Sequence, residues 1–134
     1  MSDHNVQLVR KVLEAFNLRD VETVVEAAHV KIAFFAPTAV VTERRYDLYR
    51  GHDGIRAYFD DVASVWEELL IQPDEYRYDG DGVVALGTVR GRLKGGQQPI
   101  ESGVAWAWRV RDGKLVWGRV YTNPDDALGD LGIQ

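Results

Sequence analysis

The groups in this sequence best suited to moving a proton near neutral pH are three histidines and one loop glutamate. His52 follows Gly51 at the start of an expected helix, near Tyr46 and Tyr49 in sequence. An imidazole there could act as a general acid or base, although side chains in a first helical turn are usually solvated and no partner is identifiable to orient the ring. Glu43, beside Thr42 in the stretch TAVVTERRYDLYR, could reach a pocket mouth as a base; the plainer reading is a solvated loop carboxylate. His29 is expected at the end of a helix against its terminal carbonyls, and His4 lies in a fraying terminus. The three histidines are scattered, with no acidic residue at ligand spacing, so no metal and no cofactor are expected. Cysteine is absent, which removes thiol nucleophiles and disulfides.

A second constellation is aromatic. Residues 100–122 read IESGVAWAWRVRDGKLVWGRVYT, two alternating strands about Asp112-Gly113, the pattern of a β-hairpin. Its register decides which side chains share a face, because a one-residue slip turns every side chain over. A two-residue turn pairs Arg111 with Lys114 and mixes charge into both faces. A three-residue turn with Gly113 left-handed at a bulge pairs Val110 with Lys114 and sets Trp106 opposite Gly118. In that register Ser102, Val104, Trp106, Trp108 and Val110 share a face with Val116, Gly118, Val120 and Thr122. Glu101, Arg109, Trp117, Arg119 and Tyr121 gather on the other. Clean alternation is what a half-buried antiparallel sheet requires, so the bulged register is expected, with the indoles inward.

The elements that must position this face come earlier in the chain. Val6, Val9, Val12, Leu13 and Phe16 recur at helical spacing, so about residues 4 to 18 form an amphipathic helix, with Asp3 as N-cap. Asp20 caps a shorter helix carrying Val21, Val24, Val25 and Ala28. Ile32 to Ala36 is a short apolar strand broken at Pro37, and residues 38–50 read as a loop or an edge strand. A third helix starts near Gly51, with Asp53 at its positive end and an apolar stripe of Ile55, Tyr58, Phe59, Val62, Val65 and Trp66. Strands at about 69–78 and 82–93 turn at Asp79-Gly80-Asp81-Gly82, and Gly95-Gly96 leads into the hairpin. Asn123-Pro124-Asp125-Asp126 is a helix start. Helices first and strands mostly after, without βαβ alternation, indicate an α+β fold with three helices on one face of a curved antiparallel sheet.

The chain has 134 residues, one domain's worth, and a formal net charge of -5. That charge argues against nucleic acid as a partner. No stretch is apolar enough to resemble a signal peptide or to span a bilayer, so no membrane partner and a cytoplasmic location are expected. Arg90, Arg92 and Lys94 alternate along one strand face, which reads most simply as a solvated surface that discourages edge pairing.

The segments YRGHDGIRAYF, VVALGTVRGRLKGG and VAWAWRVRDGKLVWGRVYTNPDDAL resemble the SnoaL-like branch of the NTF2-like superfamily. Its helix start falls on Tyr49 to Ile55, its hairpin turn on Arg111 to Lys114, and its ending on Tyr121 with Ala127-Leu128. The resemblance covers nearly the whole chain and implies a cone, with a curved sheet wrapped over three helices, a pocket between them and often a dimer through the sheet's outer face. It therefore implies a homodimer here through Arg109, Trp117, Arg119 and Tyr121, where aromatic and arginine side chains suit an interface.

The superfamily includes ketosteroid isomerases, whose carboxylate base works beside a tyrosine and a protonated aspartic acid; this is a stock example of pKa tuning. By alignment those three roles fall on Ala36, Val12 and Trp106, none of which can move a proton. The Asp-Arg-Asp set of the epoxide hydrolase branch is equally disfavoured, since Arg109 and Arg119 are expected outside. The side chains expected around the pocket are therefore Val12, Phe16, Ala36, Tyr58, Val62, Trp66, Val104, Trp106, Trp108, Gly118, Val120 and Thr122. Trp66, Trp106, Trp108 and Tyr58 can be read as plain core or as a wall for a flat apolar ligand such as a polyketide or terpenoid. The expected function is binding of a small apolar molecule without the isomerase acid-base set. The alternative is an enzyme of isomerase, cyclase or dehydratase type acting on a cyclic substrate, with His52 or Glu43 as its proton-transfer group.

Overall fold

A computed structural model describes residues 2–37, 46–96 and 98–133. The chain runs α1 (Ser2–Asn17), α2 (Val21–Ala27), β1 (Ala28–Pro37), β2 (Tyr46–Arg50), α3 (Gly51–Val65), β3 (Trp66–Asp79), β4 (Gly82–Leu93), β5 (Ile100–Arg111), β6 (Lys114–Tyr121) and α4 (Pro124–Leu131). The strands form one curved, unclosed sheet in the order β2-β1-β6-β5-β4-β3. The fold is α+β as expected, with two departures. The sheet is mixed, because β1 pairs parallel with β6 while every other neighbouring pair is antiparallel. A hairpin turn forces antiparallel pairing, but β1 and β6 are joined by α3 and four other strands, so nothing local fixes their direction. The second is the place of α4, the helix expected after Asn123, which lies across the side of the sheet away from α1 to α3.

Local signals account for most of the boundaries. Asp20 caps α2, its carboxylate accepting from the Thr23 N–H at 3.3 Å and the Thr23 hydroxyl at 2.6 Å. Helix α1 starts at Ser2, so Asp3 falls inside it rather than capping it. Ala28 takes up extended backbone, so His29 lies in β1 and not at a helix end; its Nδ1 accepts from the Lys31 N–H at 3.0 Å. Residues 46–50 are the edge strand β2, while Thr42, Glu43 and the rest of 38–45 lie outside the described residues. The end of α1 is tied to the opposite edge of the sheet by Asn17. Its side-chain amide donates to the Ile71 carbonyl at 2.8 Å and accepts from the Ile71 N–H at 2.9 Å, as a neighbouring strand would.

The hairpin corrects the expected register in one respect. Asp112 (φ 52) and Gly113 (φ 74) are both left-handed, so β5 and β6 join through a two-residue turn with Arg111 opposite Lys114. This turn type follows the natural twist of the strands. The bulge sits two residues further on, where Val110 pairs with Leu115 but Arg109 pairs with Trp117, leaving Val116 as the extra residue. Parity beyond the bulge is the same as a bulge at Gly113 would give, so the indoles do share a face with Gly118, Val120 and Thr122. The partners differ: Trp106 opposes Val120, Trp108 opposes Gly118, and Leu115 takes the inward place expected of Val116.

Two cores result. The larger lies between α1, α2, α3 and the concave face of the sheet. The smaller lies on the outer face, where Ala127 and Ile133 cover Val84, Ala105, Ala107 and Tyr121. Helix α4 begins as its sequence dictates, with Pro124 in the first turn and the Asn123 side chain accepting from the Asp125 N–H at 2.9 Å. Tyr121, expected to face a partner, is buried beneath this helix with its hydroxyl donating to Asp130 Oδ2 at 2.7 Å.

Candidate functional site

The concave face is built around a row of aromatic rings that one glycine makes possible. Phe34 on β1 and Trp108 on β5 both pair with Gly118 on the strand between them. A Cβ at Gly118 would come within 2.4 Å of Trp108 Cζ3 and 3.0 Å of Phe34 Cδ1. Without one, the indole leans across β6 and stacks on Phe34, the centroids 5.5 Å apart and the planes 3° from parallel. From α3, Tyr58 meets Phe34 edge-on at 5.0 Å and lies 6.0 Å from Phe16 of α1. Phe59 closes on Phe16 at 5.5 Å. Offset and edge-on contacts of this kind are the favoured ones for aromatic pairs.

These rings do not fill the space between helices and sheet. A cavity of about 700 Å³ remains, within the range of small-molecule sites. Its walls are apolar except for Tyr58, Ser102, Thr122 and the indoles. Ile100, Ser102 and Thr122 are the exposed lining residues and mark the mouth. Among the described residues no carboxylate, imidazole, amine or guanidinium lines it. Among the described residues the one ionisable lining group is the Tyr58 phenol, which burial pushes up to about 12, against a smaller opposing pull from Arg19. The Arg19 guanidinium is itself held outside the lining, hydrogen-bonded to the Phe16 and Leu69 carbonyls and lying over the Phe16 ring.

Of the side chains expected around a pocket, Val12, Phe16, Tyr58, Trp66, Val104, Trp106, Trp108, Val120 and Thr122 line this cavity. Ala36 and Val62 are buried but do not reach it, and Gly118 is roofed by the Trp108 ring. Sequence reasoning left out Leu13, Val24, Ile55 and Phe59 of the helices, and missed Ile32 and Phe34 of β1, Leu69 and Ile71 of β3, Val89 of β4, Ile100 of β5 and Leu115 of β6. Alternation within IAFFAP and ELLIQP allowed Ile32, Phe34, Leu69 and Ile71, but parity between distant strands could not be read locally; Leu115 is inward because the bulge falls at Val116. Ser102 was assigned to the inner hairpin face, and it lies at the mouth.

His52 does not line the cavity. Its Nε2 lies 2.8 Å from the Ala28 carbonyl, a contact in which the ring donates, so the imidazole ties the start of α3 to the start of β1. Of the positions aligned with the isomerase residues, Val12 and Trp106 line the cavity and Ala36 is buried in the sheet. Arg109 pairs with Asp81 at 2.9 Å, and Arg119 lies 5.3 Å from the Tyr121 ring centroid and 5.8 Å from that of Phe35, both arginines on the outer side. Among the described residues no group of three His, Asp or Glu could hold a metal ion, and no helix is long and apolar enough to cross a membrane.

Comparison with known proteins places this architecture. The family model described as a SnoaL-like domain matches residues 9–117. An NTF2-like protein of unknown function from Burkholderia pseudomallei superposes with a TM-score of 0.80 at 25% identity, covering 94% of this chain and 95% of that one. TerC, crystallised with polyporic acid, gives 0.78 at 23% identity, with 96% and 97% covered. IdmH from Streptomyces antibioticus, a candidate polyketide cyclase, gives 0.73 at 21% identity, with 96% and 99% covered. No curated protein matches the chain at a significant level.

Proposed function

The chain belongs to the SnoaL-like domain family, and from that membership and its cavity we propose that it binds small, uncharged, flat apolar molecules. The observation that carries this reading is the cavity of about 700 Å³ with aromatic walls, side-chain hydroxyls at its mouth and no charged lining group among the described residues. Apolar area moved from water into such a site contributes roughly 25 cal/mol per Å² before the costs of association. A charged ligand would leave its hydration for walls offering no counter-charge, a penalty of several kcal/mol or more. TerC, a neighbour of the same fold, was co-crystallised with polyporic acid, which is in keeping with a cyclic ligand. A catalytic role would need a group at the ligand that moves a proton, and Tyr58 is the one ionisable candidate in the described lining.

The test is titration with anthracene, followed by quenching of tryptophan fluorescence. Saturable one-to-one binding is expected, and it should be lost in Val104→Trp, which grows an indole into the space. Binding that survives that substitution would remove the cavity from the account. For the outer face we propose contact with a second copy of the chain around Arg109, Trp117 and Arg119, beside the part that α4 covers. Sedimentation at micromolar concentration should show a dimer, and a monomer there refutes this.

A further inference from the structure

Beside the apolar cavity lies a second recess of opposite character. Arg19, just past the end of α1, lines it together with Arg90 and Arg92 of β4, and Glu68 is the one carboxylate among its described lining residues. The sequence pattern suggests that Arg90 and Arg92 discourage pairing at a sheet edge, but the strand order removes that explanation. β4 runs between β3 and β5, so its arginines border no edge. The edge belongs to β3, and there Asn17 and Arg19 already engage the outward backbone groups of Ile71 and Leu69.

The three guanidinium groups are poorly matched by anions. Arg92 donates to Glu68 at 3.0 Å, whereas Arg90 lies 4.0 Å from Glu101, beyond a hydrogen bond. Arg19 donates to neutral groups alone, the Phe16 carbonyl at 2.5 Å and the Leu69 carbonyl at 2.7 Å. Carbonyls orient the guanidinium without cancelling its charge, and burial draws Arg19 below its ordinary value. The residue also keeps a left-handed backbone (φ 57), a conformation that glycine adopts at less cost. A glycine at 19 would relax the backbone and remove the one cation that reaches the recess from the helix side. Three positive charges against one negative leave the described lining with a double positive excess, in a chain whose net charge is -5.

We infer that this recess is an anion site, and that its ligand is a phosphate dianion, either free phosphate or the phosphate group of a small ester. The inference goes beyond the reading of the apolar cavity and does not depend on it. Near neutral pH a phosphate monoester carries close to two negative charges, which is the excess the lining leaves; a carboxylate supplies one. Planar guanidinium forks match the terminal oxygens of phosphate with paired hydrogen bonds. Leu69, Leu70 and Pro99 give the recess an apolar border on which the carbon part of an ester can rest. Leu69 also lines the apolar cavity, and Pro99 adjoins Ile100 at its mouth. The anion site therefore stands beside that entrance and outside the charge-free interior.

The experiment is calorimetric titration of the whole chain with inorganic phosphate and with phenyl phosphate, in low-salt buffer well above the second phosphate pKa of about 6. Saturable one-to-one binding is expected. Arg90→Gln and Arg92→Gln should each weaken it by at least about tenfold, the size of one charge-assisted hydrogen bond. Glu68→Gln should tighten it, because that carboxylate competes for Arg92. Lys31→Gln, at an exposed position on β1, should change nothing. In nuclear magnetic resonance spectra the Nε–H signals of Arg19, Arg90 and Arg92 should shift on binding, while that of Arg56, paired with Glu22, stays in place. Tighter binding of phenyl phosphate assigns the site to an organic phosphate, and equal or weaker binding assigns it to free phosphate. Absence of saturable binding by both measurements, or binding that the Arg90 and Arg92 substitutions leave unchanged, overturns the inference. Neither result touches the anthracene titration, so the two readings fail separately.

Discussion

Strand β5 presents two kinds of surface from one run of residues. Inward it sends Val104, Trp106, Trp108 and Val110; outward, beneath α4, it sends Ala105 and Ala107. The outward side is closed: Ala105, Ala107 and Ala127 have no exposed surface, and Val84, Tyr121 and Ile133 complete a small core. The inward side carries far larger side chains and yet encloses about 700 Å³ of space. Cavity and close packing therefore do not follow side-chain size. Small residues let α4 settle directly onto the sheet, whereas curvature and the spread of α1 and α3 hold the aromatic rings apart as walls. The glycine at 118 serves the same end by letting one wall ring brace another instead of entering the void.

That contrast can be broken most forcefully at Trp108. Trp108→Ala removes the ring that stacks on Phe34, and urea denaturation should show a loss of about 3 to 5 kcal/mol; a loss below about 1 kcal/mol would mean the indole supports nothing. The next effect lies in pH. The Tyr58 phenol is raised from 10.0 to about 12 in the folded protein, so the protonated form is favoured there. Its contribution to stability is intact below pH 10 and is lost as pH rises to 12, because the unfolded chain releases the proton first. Wild type should therefore lose about 2 to 3 kcal/mol more than Tyr58→Phe across that window. An equal decline in both proteins would show that the phenol titrates normally.

Adding volume separates the two faces directly. Ala107→Leu should cost about 1 to 3 kcal/mol, because nothing under α4 can yield. Val104→Leu, on the cavity wall, should cost less than about 1 kcal/mol by the same measurement, since open space accepts the added methylene. Equal costs would erase the distinction. The smallest effect is expected at the cap of α4, where Asn123→Ala should lower stability by about 1 kcal/mol and leave anthracene binding unchanged.

What could be read from the sequence was what depends on neighbours along the chain. The Asp20 and Asn123 caps, the Asp53 helix start, the turn at Gly80 and the apolar stripe from Ile55 through Tyr58 to Val65 all follow from local chemistry, and the structure has them, but Trp66, expected at the end of that stripe, already belongs to β3. What depends on distant pairing could not be read. Phe34 and Phe35 are adjacent and equally apolar, and only the parallel register with β6 sends Phe34 into the concave core while Phe35 lies by Arg119 on the other face. The hairpin shows how a face can be assigned correctly with the wrong partners. Moving the bulge from Gly113 to Val116 keeps parity but shifts Gly118 from Trp106 to Trp108, and with it the reason for the glycine. The docking of α4 carried no local signal either, because Ala105 and Ala107 on a strand could as well have met a second protein chain.

The central claim is that the indole-bearing side of β5 faces an apolar cavity between the sheet and the helices. Crystals pressurised with xenon test it most directly, since apolar cavities take up the gas and polar ones hold ordered water. The account predicts xenon bounded by Phe34, Trp106, Trp108 and the Tyr58 ring, with none under α4. A space filled by hydrogen-bonded waters, or indoles turned to solvent with Arg109 and Arg119 inside, would contradict it.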